Sequence, residues 1–66
     1  MNANEKIRKN VELSGVKYWE VAARLNLHPS NLTRKLRHEL PADEKAKILS
    51  IVNELRSEKE RALNDG

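Results

Sequence analysis

Ser30, Asn31 and Arg34 bring together three side chains able to read the edges of bases, and Lys35, Arg37 and His38 follow closely behind them. A guanidinium fork pairs bidentately with guanine O6 and N7, a carboxamide does the same for adenine, and a hydroxyl is less selective. These residues share a face only if the segment is helical. With Leu32 and Leu36 inward, four apart, Arg34 lies opposite them and Ser30, Asn31, Arg37 and His38 lie beside it. Thr33 and Lys35 flank the two edges. Such a face suits the major groove of double-stranded DNA.

The elements that must hold this face follow from the apolar pattern. Pro29 stands where a first helical residue is expected, so the helix spans about residues 29–38. Before it, Tyr18, Val21, Ala22 and Leu25 form one stripe of a helix from Tyr18 to Leu25, with Glu20, Ala23 and Arg24 pointing away. Asn26 falls at the sharp turn between the two, because asparagine tolerates a left-handed backbone next best after glycine. Ala22 is small where the helices must cross, and Leu27 and Leu32 are the apolar anchors after the turn. A helix from Asn4 to Ser14 buries Ile7 and Val11, with Leu13 on its flank and Gly15 as the stop. Pro41 opens a last helix over about 41–63, with Asp43 and Glu44 at the positive end of its dipole. Ile48, Ile51, Val52 and Leu55 are its inward stripe, resumed by Ala62 and Leu63.

The expected fold is all-α, a single four-helix domain over residues 1–66 with a helix-turn-helix at 16–37. So short a chain has room for one thin core, worth roughly 3–5 kcal/mol, and with no cysteine it has no disulfide or thiolate–zinc staple. The net charge of +3 is unevenly placed: residues 1–37 carry +5 and residues 38–66 carry −2. The basic part is therefore the part that presents the reading face. No apolar run reaches the roughly 20 residues needed to cross a membrane, and residues 1–10 are charged rather than signal-like. A cytoplasmic protein is expected, without cofactor.

The spacing of Ala22, Asn26, Leu27 and Leu32 resembles that of the Cro and lambda-repressor-like (Xre-type) helix-turn-helix regulators of bacteria and phages. The likeness is clearest over 16–37 and looser from Ile7 to Leu55. It implies a sequence-specific regulator of transcription, nucleoid-associated when bound, acting as a repressor by occupying its operator. Carried over position by position, it implies base contacts from Pro29, Ser30, Asn31 and Arg34, Pro29 through van der Waals contact alone. Phosphate contacts are expected from Lys17 and Tyr18 at the start of the second helix, and from Lys35, Arg37 and His38. The chain departs from the family in Tyr18, where a glutamine is common, in Asn26, where glycine is usual, and in one long helix where relatives have two.

Other chemistry finds less support. His28 and His38 are ten apart with no third ligand nearby, so no metal site is expected. Glu39, Asp43 and Glu44 sit where a helix dipole explains them, and no general acid–base pair or other catalytic constellation stands out. Trp19 lies about 110° off the inward stripe; it is expected to pack on the last helix, the alternative being an exposed interface anchor. A homodimer on two half-sites has Leu49, Leu55, Ala62, Leu63 or Trp19 as its candidate contacts, against a solvated helix end. The rival function is a protein-interaction module, antitoxin-like or inhibitory, built on the same fold.

Overall fold

The computed structural model describes residues 4–65, with side chains through residue 62. Four helices follow in order: α1 (Glu5–Ser14), α2 (Tyr18–Arg24), α3 (Pro29–Lys35) and α4 (Ala42–Asp65). The last is the longest, at 24 residues. No strand occurs among the described residues. α4 packs along α1 and α2, and α3 packs on α2.

The core is the periodic set: Ile7 and Val11 from α1, Val16 from the connection, Val21 and Ala22 from α2, Leu32 and Leu36 from the α3 region, and Ile48, Val52 and Leu55 from α4. Ala22 and Leu32 have no exposed surface at all, which places the α2–α3 crossing at the centre of the fold. Ile51 is only partly buried against the cluster. Leu13 is 88% exposed on the outer side of α1 and contributes nothing to the core.

Two turns depend on left-handed residues. Gly15 ends α1 at φ 74° and Asn26 follows α2 at φ 60°. After Asn26, the Leu27 N–H donates to the Ala22 carbonyl at 2.9 Å and the Asn26 N–H to the Ala23 carbonyl at 3.1 Å. This is a Schellman closure, which satisfies the last carbonyls of α2 and brings Leu27 back over Ala22. Asn26→Ala is therefore expected to destabilise the domain by about 1–2 kcal/mol, the left-handed penalty of a residue with Cβ and no local hydrogen bond. Asn26→Gly should be at least as stable as the parent, and urea denaturation of the two variants checks the pair.

Several boundaries differ from those expected. Asn4 is not the first residue of α1 but precedes it in a left-handed conformation (φ 56°), with a buried side chain that makes no cap. α2 stops at Arg24, with Leu25 as its cap. α3 ends at Lys35 rather than at 38; Arg37 and His38 form tight turns in which their N–H groups donate to the carbonyls of Arg34 and Lys35. Pro41 stands just outside α4, its carbonyl accepting the Lys45 N–H at 3.0 Å.

Beyond Lys35, backbone groups of Leu36, His38 and Leu40 are bonded to the start of the chain instead of continuing the helix. The Asn4 side-chain amide donates to the carbonyls of Leu36 (3.0 Å) and His38 (2.7 Å), and its oxygen accepts the Leu40 N–H at 3.0 Å. Arg8 Nη2 donates to the same Leu36 carbonyl at 3.1 Å. The Asn4 backbone N–H donates to Glu39 Oε1, and Glu39 in turn pairs with Lys45. A single residue before α1 thus clasps the whole segment from the end of α3 to the start of α4.

Candidate nucleic-acid interface

Pro29, Ser30, Asn31 and Arg34 are all exposed on α3; Ser30, Asn31 and Arg34 lie on the side away from the buried Leu32, and Pro29 stands at the helix start about 60° from it. Their backbone is set at the N-terminal end by His28. Its Nδ1 accepts the Ser30 N–H at 3.2 Å and lies 2.8 Å from Ser30 Oγ, a cap that requires an unprotonated Nδ1. Thr33 Oγ1 donates back to the Pro29 carbonyl at 3.1 Å. Below, Leu32 and Leu36 fix the rotation of the helix against α2. Fold and face are thus carried by different side chains.

The expected phosphate group is more varied. Lys17 is exposed at the start of α2. Tyr18 beside it is half-buried, its ring packed against the core cluster. Lys35 is exposed but engaged, its Nζ 3.5 Å from Glu44 on α4. Arg37 and His38 are exposed in the clasped turn after α3.

Charge is sorted across this surface. Between Glu12 and Glu39 the sequence holds a single acid, Glu20. α4 supplies partners to three charges of the α2–α3 region. Glu58 holds Arg24 through both carboxylate oxygens at 2.7 Å, with Glu54 at 3.7 Å. Lys59 reaches Glu20 at 3.2 Å, and Glu44 holds Lys35. Lys17, Arg34 and Arg37 have no ion-pair partner among the described residues. The basic face that is left open is the one containing Arg34.

The Glu20 carboxylate also accepts the Lys17 N–H at 3.0 Å. That hydrogen bond, with the Lys59 ammonium and the Lys17 charge, holds its pKa below the ordinary glutamate value against a smaller opposing effect of desolvation. A depressed carboxylate contributes stability that is fully present above the unfolded pKa and is lost as pH falls through the folded one. Glu20→Gln should therefore flatten the acid limb of the stability–pH curve, with the difference from the parent vanishing once both carboxyl forms are protonated. Chemical denaturation between neutral pH and the acid end of the carboxylate range checks the sign. Arg24 is raised by its Glu58 contacts and stays cationic throughout.

Two expectations about partner contacts change. Trp19 is 61% exposed, the alternative to the packed role expected of it. It stands about 100° from Glu20 and about 140° from Arg24 around α2, and those two residues occupy the flank that faces α4. Leu55 is not available to a second chain, being 6% exposed within the core. Leu49 is half-buried and Ala62 exposed, while the side chain of Leu63 lies outside the described residues.

The contacts that the sequence pattern did not point to are those of Asn4, Arg8 and the α4 residues Glu44, Glu54, Glu58 and Lys59. The hint for the α4 set was present: acids at 54 and 58 and a base at 24 are complementary once two helices lie side by side. Compared with protein-family models, with curated proteins and with solved structures, the chain matches none.

Proposed function

We propose that this chain is a sequence-specific double-stranded DNA-binding regulator that inserts α3 into the major groove. The observation that carries the reading is the exposed face of Ser30, Asn31 and Arg34, with Pro29 exposed at the helix start, set over buried Leu32 and Leu36 by the Schellman turn at Asn26. Arg34, without an intrachain partner among the described residues, supplies the most selective contact. Lys17 and Arg37 supply open positive charge for phosphates on either side, and Lys35 joins them by releasing Glu44. The resemblance to Cro and lambda-repressor-like proteins adds a bacterial or phage setting, a cytoplasmic, nucleoid-associated location and repression by occupying an operator.

Binding-site selection on random duplexes, followed by titration at two salt concentrations, tests this. The expected result is a defined site whose affinity falls steeply with salt. No duplex binding even at low salt would overturn the proposal. A palindromic site would report a homodimer, for which Trp19, Leu49 and Ala62 remain the described candidates. Exposure of Trp19 supports a second reading, an interaction module with Trp19 as its anchor. That reading gains if duplex binding is absent.

A further inference from the structure

We infer that Lys59, on the far part of α4, is a positioning residue for the DNA contact, acting by neutralising Glu20. The inference rests on the DNA reading above. α4 continues to Asp65, past Leu55, its last core residue among the described side chains. What engages the turns beyond Leu55 is charge on α2: Glu58 holds Arg24 and Lys59 holds Glu20. Lys59 occupies the inward side of α4, one turn beyond Leu55, where an apolar residue would continue the stripe. Its side chain is 43% exposed and that of Glu20 only 17%.

Glu20 is the one acid in the segment 16–37. Its carboxylate sits at the start of α2, on the Lys17 N–H. A bare carboxylate there would oppose the phosphate backbone that Lys17 is to meet. It would also draw the Lys17 ammonium inward. Lys59 cancels that charge from behind, and so leaves the Lys17 side chain free for DNA. The carboxylate itself is retained because its hydrogen bond closes the first turn of α2. The role of Lys59 is electrostatic and is exerted through Glu20.

The test is a comparison of Lys59→Met with Arg61→Met, each removing one positive charge from the same end of α4. Arg61 has no ion-pair partner among the described residues. Affinity for the selected duplex is measured at two salt concentrations, with helix content and melting temperature recorded for each variant. Lys59→Met is expected to bind roughly five- to tenfold more weakly at low salt, with a salt slope lower by about 1; Arg61→Met should change affinity less than about twofold, its charge being screened. Lys59→Arg should retain parent affinity. In the double variant Glu20→Gln/Lys59→Met affinity should return to within about twofold, because the amide keeps an oxygen for the Lys17 N–H and carries no charge.

Equal losses in Lys59→Met and Arg61→Met, or a double variant as weak as Lys59→Met alone, would show a general charge effect and overturn the role of Lys59 while leaving the DNA reading standing. A parent that binds no duplex overturns both. A fall in melting temperature matching the loss of affinity, not relieved by Glu20→Gln, would assign Lys59 to stability instead.

Discussion

Replacing Asn4 with alanine is expected to remove about 3 kcal/mol of stability, most of what a domain of this size has. The substitution deletes two hydrogen bonds to the carbonyls of Leu36 and His38 and one from the Leu40 N–H. Leu36 keeps Arg8 as a donor, so the loss concentrates on His38 and Leu40. Leaving these part-buried backbone groups unpaired costs about 1 kcal/mol each, the low end of the range for buried ones, and alanine in a left-handed conformation adds about 1–2 kcal/mol where asparagine is tolerated. In a thermal melt this corresponds to a fall of at least about 10 °C. Two companion variants separate the contributions. Asn4→Gly relieves the backbone but not the hydrogen bonds and should recover about 1 kcal/mol. Asn4→Asp keeps the acceptor for Leu40 but turns oxygen toward two carbonyls, and should be as damaging as alanine. An Asn4→Ala variant within about 0.5 kcal/mol of the parent, the spread of an ordinary surface change, would mean that the clasp contributes little.

The second large effect is on recognition rather than folding. Arg34→Ala is expected to cost about 1–3 kcal/mol of binding to the selected duplex, roughly 5- to 150-fold, and to erase preference at one base pair. Stability should stay within about 0.5 kcal/mol of the parent, since Arg34 is exposed and has no ion-pair partner among the described residues. Arg34→Lys keeps the charge and loses the planar fork, so it should retain much of the salt-dependent affinity while relaxing the same base pair. Repeating the site selection with both variants checks this. An unchanged site preference in Arg34→Ala would remove Arg34 from base readout.

The apolar frame was legible because a period of 3.6 leaves few ways to bury Ile7, Val11, Val21, Ala22, Leu32, Leu36, Ile48, Val52 and Leu55 together. The turn at Asn26 was legible because few residue types adopt a left-handed backbone. The exposed positions on α3 followed from its two buried leucines. The role of Asn4 was not legible: it reads as the start of the first helix, and nothing local says that its amide is used by backbone more than thirty residues away. Trp19 was misplaced for a related reason. A helical wheel assigns it to a flank but does not say which flank α4 covers; that depends on the pairing of Arg24 and Glu20 with the end of α4. Long-range polar contacts, unlike the apolar stripe, have no period to announce them.

The division of α3 into a buried pair and an exposed set has an evolutionary consequence. Ser30, Asn31 and Arg34 can be exchanged for other side chains without disturbing Leu32 or Leu36, provided that the His28 cap and the turn at Asn26 persist. In so small a protein, where most positions are constrained by a thin margin of stability, these three form an island of nearly free variation. Under the DNA reading proposed above, a lineage built on this frame changes the address that it reads by single substitutions and remains folded at every step.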